Sequence, residues 1–166
     1  MWAALYPRAR VSSVTALTPA YLRARGLAGL IVDLDNTLAP WNVAQAPAAV
    51  RAWLDEVQGA GVRVVVLSNN GERRVRAFAD AVGVLALAGA GKPRGKAFRR
   101  ALAVLGTPPA ATAVVGDRLF MDVLGGNRAG LFTVLVPPLA PRELWATRLV
   151  RHVEDWLVDR MPPVGA

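Results

Sequence analysis

The chain has 166 residues, 54% of them hydrophobic and 19% charged, with no cysteine and a formal net charge of +8. That length gives a single domain, residues 1–166, with room for a core; the missing cysteines exclude disulfides, thiolate catalysis and cysteine-based zinc or iron–sulfur centres. The excess charge points to anionic partners, but the basic residues are dispersed and no Arg or Lys run interleaved with aromatics marks a nucleic-acid face.

The first residues, Met1 to Pro7, carry no basic stretch followed by an apolar one, and no apolar run reaches the roughly 18–20 residues of a spanning helix. The chain therefore reads as cytoplasmic, at most peripheral to the inner face of a membrane. Residues 8–17 read as irregular or weakly extended. Thr18 followed by Pro19 is an N-cap with proline at the first helical position, and Gly26 closes that short helix.

Leu30-Ile31-Val32-Asp33-Leu34-Asp35 is a short apolar run that delivers two carboxylates where a buried parallel strand ends. If the strand conformation persists that far, its period of two puts Asp33 and Asp35 on one side. Pro47 starts a helix with Val50, Trp53, Leu54 and Val57 on one face, and Gly59 and Gly61 end it. Residues 62–67 form a β-branched strand running into Ser68-Asn69-Asn70-Gly71. A basic helix from about Glu72 buries Val75, Phe78, Ala79 and Val82 and stops at Gly83.

Residues 84–88 are a weaker strand leading to Gly91-Lys92-Pro93, and residues 96–105 are helical with Gly106 behind them. Ala113-Val114-Val115 is a fourth strand that runs into Gly116-Asp117-Arg118. Residues 119–129 read as one helix and residues 131–136 as a fifth strand. A C-terminal helix over 141–161, with Trp145, Leu149, Val153, Trp156 and Leu157 at helical spacing, is expected to pack back on the core. Strands alternating with helices give an α/β fold with a parallel sheet and right-handed crossovers.

Three strands thus deliver polar groups at their carboxyl ends, where ligands of open α/β sheets collect. The inventory suits phosphoryl transfer. Asp33 can attack phosphorus and form an aspartyl-phosphate, and Asp35 can protonate the leaving oxygen and then deprotonate water. A hard cation such as Mg²⁺ needs oxygen ligands, which Asp33, the Asp35 carbonyl and Asp117 supply, with Asp122 orienting the shell. The Ser68 hydroxyl, the Asn69 amide and the Lys92 ammonium are donors for phosphoryl oxygens.

These motifs, Asp-Leu-Asp-Asn-Thr-Leu with Thr37 in the supporting position, Ser68-Asn69, Gly91-Lys92-Pro93 and Gly116-Asp117 with Asp122, resemble in order the four motifs of the haloacid dehalogenase superfamily. The match covers residues 30–136. More narrowly, Ser12-Ser13-Val14-Thr15 before Thr18-Pro19, Asp-Asn-Thr-Leu-Ala-Pro-Trp, and Gly125-Gly126-Asn127-Arg128-Ala129-Gly130 resemble the YqeG-type phosphatases of subclass IIIA, a group similar to phosphatidylglycerophosphate phosphatases. The resemblance implies a three-layer Rossmann-like fold whose five-stranded sheet has the order 3-2-1-4-5. It makes Asp33 the nucleophile and Asp35 the general acid/base. Asp33, Asp35 and Asp117 would bind Mg²⁺, Ser68 and Lys92 would bind phosphate, and Asp122 would support the metal. Arg118 stands where these proteins often have Gln, and Met121 where Thr commonly precedes the last Asp.

Relatives often carry a cap domain, and neither residues 38–47 nor residues 71–92 leave room for one. Without a lid, water exclusion must come from the substrate or from another subunit, so a bare site favours large substrates: a lipid head group at a membrane, a protein phosphate or a nucleic-acid end. Arg73, Arg74 and Arg76 on the basic helix, with Trp2, Leu5 and Tyr6 at the chain's start, fit a peripheral approach to an anionic membrane surface. The expected activity is Mg²⁺-dependent phosphomonoester hydrolysis on a large or lipid phosphate such as phosphatidylglycerophosphate. The alternatives are a soluble small-metabolite phosphatase and a non-catalytic phosphate- or RNA-binding module of the same fold. Residue types alone leave oligomerisation open.

Overall fold

A computed structural model describes residues 2–41, 43, 45–140, 152–154 and 156–161. The strands are β1 (Ala9–Arg10), β2 (Gly29–Val32), β3 (Arg63–Leu67), β4 (Leu85–Leu87), β5 (Thr112–Gly116) and β6 (Phe132–Leu135). The helices are α1 (Pro19–Ala24), α2 (Ala48–Gly59), α3 (Glu72–Val82), α4 (Gly95–Leu105) and α5 (Leu124–Arg128). All strand pairs are parallel, in the order β1-β6-β5-β2-β3-β4.

Among the described residues the sheet therefore has six strands rather than the expected five. The extra one, β1, pairs Ala9 with Val134 and Arg10 with Leu135 at the outer edge of β6. Two residues are too short to show a period, and only their partner makes them a strand, so the stretch reads as irregular in the sequence. The five expected strands keep their relative order.

The period of two along β2 sorts its side chains between two layers. Leu30 and Val32 pack with Trp53, Leu54, Val57, Val75 and Phe78 of α2 and α3, whereas Ile31 packs with Phe98, Ala101 and Leu105 of α4. Burial on both faces explains why β2 is apolar without alternation. α5 lies close against this second layer. A Cβ at Gly125 would strike the Phe98 ring, and one at Gly126 would strike Val114 and Thr133.

The expected helix over 119–129 is not uniform: a π-type turn, Leu119–Val123, precedes α5. There the amide of Val123 reaches back five residues to the Arg118 carbonyl at 3.4 Å, while that of Asp122 bonds the same carbonyl at 2.9 Å. Of the expected C-terminal helix, residues 152–154 and 156–159 are helical; residues 141–151, with Trp145 and Leu149, lie outside the described residues. Leu157, Val158 and Met161 pack on Leu119, Val123 and Leu135. Among the described residues no helix is long and apolar enough to cross a membrane.

Candidate active site

β2 is flanked by β3 and β5, so the residues just past the carboxyl ends of these three strands must meet. Asp33 continues the β2 ladder, its amide donating to the Val115 carbonyl at 2.9 Å. The strand does not persist to Asp35. Asn36 takes a left-handed conformation (φ 64), and its amide turns back to the Ala39 carbonyl at 2.7 Å. Ser68 follows β3, Lys92 comes from the loop after β4, and Asp117 follows β5. Asp122 lies in the π-type turn against Gly116, where a Cβ would collide with its carboxylate. The result is a crevice of about 60 Å³ lined by Asp33, Asp35, Ser68, Asn69, Asn70, Lys92, Arg118, Met121 and Asp122.

Lys92 organises its floor. The ammonium donates to Asp33 Oδ1 and to Asp122 Oδ1, both at 2.7 Å, in a pocket where all three side chains are below a tenth exposed. Asp122 Oδ2 accepts the Arg118 amide at 3.2 Å, so both of its oxygens are engaged within the protein. Ser68 Oγ accepts the Asn70 amide at 3.0 Å, which leaves the hydroxyl proton to be donated elsewhere.

Asn69 faces Lys92 rather than open space. Its carboxamide donates to the Lys92 carbonyl at 3.2 Å and accepts the Lys92 amide at 2.8 Å, which fixes the backbone of the lysine's loop. Thr37 is buried, and its hydroxyl has no hydrogen-bond partner among the described residues.

Asp33, Asp117 and Asp122 each bring a carboxylate oxygen within 4.8 Å of the others. Three buried carboxylates crowd round the Lys92 ammonium. Burial pushes the Asp33 carboxyl up from 3.8 to about 6; Lys92 draws it back, while the charges of Asp122 and Asp35 add to the rise. Burial raises Asp122 as well, with Lys92 opposing and Asp117 reinforcing. Burial alone would lower Lys92, but the charges of Asp122 and Asp33 outweigh it and hold the ammonium above the ordinary lysine range.

A divalent cation suits this cluster on two grounds. The donors are hard oxygens, and a bound cation would offset the mutual repulsion that adds to burial in raising the Asp33 and Asp122 carboxyls. The main-chain carbonyl of Asp35 also accepts no hydrogen bond among the described residues and is open as a further ligand.

Two participants escaped the sequence reading. Arg74, read there as part of a membrane-facing basic helix, points inward: Nη2 and Nε donate to Asp35 Oδ1 at 2.6 and 2.9 Å. Asn70 Nδ2 holds Asp35 Oδ2 at 3.1 Å. A signal for Arg74 was present, since it stands four residues before Phe78 and so borders the buried stripe of α3. Arg76 pairs with Glu72 on the surface, leaving Arg73 as the outward arginine of the expected trio without an ion pair among the described residues. Nor is the start of the chain loose. Asn127 Nδ2 donates to the carbonyls of Ala4 and Tyr6 at 2.8 and 2.9 Å, and Leu5 packs with Leu119 and Val123.

The sequence pattern of the HAD-hydrolase-like family matches residues 89–138, the part that carries Lys92, Asp117 and Asp122. The chain is 40% identical over 155 residues to the probable phosphatase YqeG of Bacillus subtilis, covering 93% of this chain and 90% of that protein. It is 31% identical to phosphatidylglycerophosphate phosphatase 1 of Chlamydomonas reinhardtii, over 87% of this chain but only 57% of that longer protein. Among solved structures, cobalt-bound deoxy-D-mannose-octulosonate 8-phosphate phosphatase of Haemophilus influenzae superposes with a TM-score of 0.57. It is 16% identical, over 82% of this chain and 90% of that one, and shares the fold. With its strand-end carboxylates gathered round a buried lysine and near-full-length similarity to YqeG, this chain belongs to the YqeG-type phosphatases of the haloacid dehalogenase superfamily.

Proposed function

We propose that this phosphatase is Mg²⁺-dependent and hydrolyses phosphomonoesters through an aspartyl-phosphate on Asp33, acting on a large or lipid phosphate such as phosphatidylglycerophosphate. The observation that carries the mechanism is the buried Asp33–Lys92–Asp122 cluster with Asp117 beside it. Asp33 Oδ1 is tied to Lys92, and its second oxygen accepts no hydrogen bond among the described residues. That oxygen attacks phosphorus as the ester oxygen departs with a proton from Asp35. Asp35, now ionised, takes a proton from water; the water oxygen attacks phosphorus and Asp33 leaves as the free carboxylate.

Lys92 has three N–H donors, of which two are engaged, and the third is available to a phosphoryl oxygen. The Ser68 hydroxyl is a second such donor. Asp33, Asp117 and the Asp35 carbonyl would hold Mg²⁺, with Asp122 tying that shell to Lys92. The bound cation supplies positive charge that offsets the carboxylates and the phosphoryl oxygens.

The crevice is small, at about 60 Å³, and is not closed over. A leaving group would extend past Arg118 and Met121, which line the crevice, and its half-open form leaves room for a large one. The name of the Chlamydomonas relative supports phosphatidylglycerophosphate. The inward Arg74 and the packed Leu5 remove two of the features that favoured a membrane approach.

The test is turnover of a generic phosphomonoester and of a panel holding phosphatidylglycerophosphate in anionic vesicles and soluble sugar phosphates. The expected result is Mg²⁺-dependent turnover, lost by a factor of at least about 10³ in Asp33→Asn and retained in Arg73→Ala, with the vesicle substrate preferred. Full turnover in Asp33→Asn would refute the nucleophile. Equal turnover of sugar phosphates, indifferent to vesicles, would replace the lipid by a soluble metabolite.

A further inference from the structure

Asp35 carries protons in the proposed reaction, and such a group works only while its oxygens stay within hydrogen-bond reach of the reacting atoms. Its backbone does not secure this. Asp35 lies beyond the end of β2, in the chain reversal at Asn36, where its backbone makes an isolated bridge to Ala39 outside the sheet and its side chain has no neighbouring strand beside it.

The hold comes from the connection after β3. Arg74 grips Oδ1 with two N–H groups, at 2.6 and 2.9 Å, and Asn70 grips Oδ2 at 3.1 Å. The same guanidinium reaches the carbonyls of Pro40 at 3.3 Å and Val43 at 3.0 Å. One side chain thereby ties together the carboxylate, the loop that comes after it and the first turn of α3.

Three features separate this from an ordinary surface ion pair. The side chains are 16% and 10% exposed, so water screens the pair poorly. The guanidinium makes four hydrogen bonds, the arrangement for which arginine's rigid fork is suited and lysine's point charge is not. A cation in the first turn of a helix also opposes the helix dipole, so helix stability does not account for Arg74 there. Its neighbour Arg76 shows the ordinary case, an exposed pair with Glu72.

We propose that Arg74 is the positioning residue of the general acid/base: it aims the Asp35 carboxylate and ties Pro40 and Val43 to α3, without itself touching the substrate. This rests on the reading of Asp35 given above. The carboxylate must serve twice, first giving a proton to the leaving oxygen and then taking one from water, and a displacement of about 1 Å in such a group can cost about 10²-fold in rate.

The experiment compares wild type, Arg74→Ala, Arg74→Lys, Arg74→Gln and Asp35→Asn with Mg²⁺ on two substrates. Glycerol phosphate has an alkoxide leaving group that needs the proton; p-nitrophenyl phosphate has one that departs without it. In Arg74→Ala, kcat on glycerol phosphate is expected to fall about 10²-fold with KM within about threefold of wild type. On p-nitrophenyl phosphate the first step persists while the second slows, so a burst approaching one nitrophenolate per site precedes slow turnover. Arg74→Lys is expected to recover part of kcat, because it keeps the charge and loses the fork.

A change carried by KM with kcat unchanged would make Arg74 a substrate-binding residue and overturn the proposal, as would wild-type values for both. If Arg74→Ala does not fold, the same split is read from Arg74→Gln. Loss of turnover in Asp35→Asn but not in Arg74→Ala or Arg74→Gln overturns the role of Arg74 alone. Full turnover in Asp35→Asn overturns the reading beneath it.

Discussion

At the scale of the residue, the governing fact is that Asp33 is buried beside two other carboxylates with the Lys92 ammonium among them. Its carboxyl is pushed up from 3.8 to about 6 by that burial. A pKa raised on folding means that the folded state binds a proton the unfolded state has lost. Stability from this group is fully present below the unfolded pKa and disappears as pH rises through the folded one. In chelator, Asp33→Asn is therefore expected to melt above wild type at about pH 8, with the gap narrowing as pH falls through about 6 and closing only near 3.8. Mg²⁺ should raise the wild-type melting temperature and raise that of Asp33→Asn much less. Scanning calorimetry across pH reads both; a gap that stays constant with pH would mean that Asp33 carries no burial cost. The pair itself, Asp33 and Asp35, was legible in the sequence because it ends the most apolar strand. Arg74 was legible only in part: its spacing to Phe78 puts it beside the buried stripe of α3, but a pattern of residue types gives the direction of a side chain only where packing dictates it, and here one carboxylate across the crevice decides.

At the scale of the element, β2, β3, β4, β5, β6 and the four longer helices announce themselves by their periods and by their glycine stops. Gly83 and Gly106 close α3 and α4 in the left-handed conformation. The failures have physical causes. β1 is two residues long and exists only through β6. The π-type turn Leu119–Val123 breaks a helix that its composition favours, and it does so where Asp122 must reach back under Gly116 to Lys92; such widened turns recur at functional sites. The Gly125-Gly126 pair reads as a family signature in the sequence and as a packing necessity in three dimensions. Gly126→Ala places a methyl group against Val114 and Thr133. It is expected to cost about 1–3 kcal/mol in urea unfolding, whereas Gly59→Ala, at the end of α2 with nothing within 4 Å, should be neutral or stabilising. Equal effects at the two positions would contradict the close approach of α5 to the sheet.

At the scale of the whole molecule, the sheet order sets the chemistry. Because β3, β2 and β5 are neighbours, Ser68, Asp33 and Asp117 arrive side by side although they are far apart in the chain. Lys92, arriving from beyond β4, joins Asp33 to Asp122. A site built this way depends on the register of every parallel pair. Arg74 fastens the loop after Asp35 at the edge of the site, while Asn127, away from the crevice lining, fastens the start of the chain. The central claim is that the Asp33 carboxylate itself becomes phosphorylated. Its most direct test is acid quenching of the enzyme during Mg²⁺-supported turnover, with peptide mass mapping of the quenched protein. The expected result is one phosphoryl group on the peptide that contains Asp33, released by hydroxylamine and absent from Asp33→Asn. Steady turnover under these conditions with no label at residue 33, or label retained when Asp33 is replaced, would contradict it.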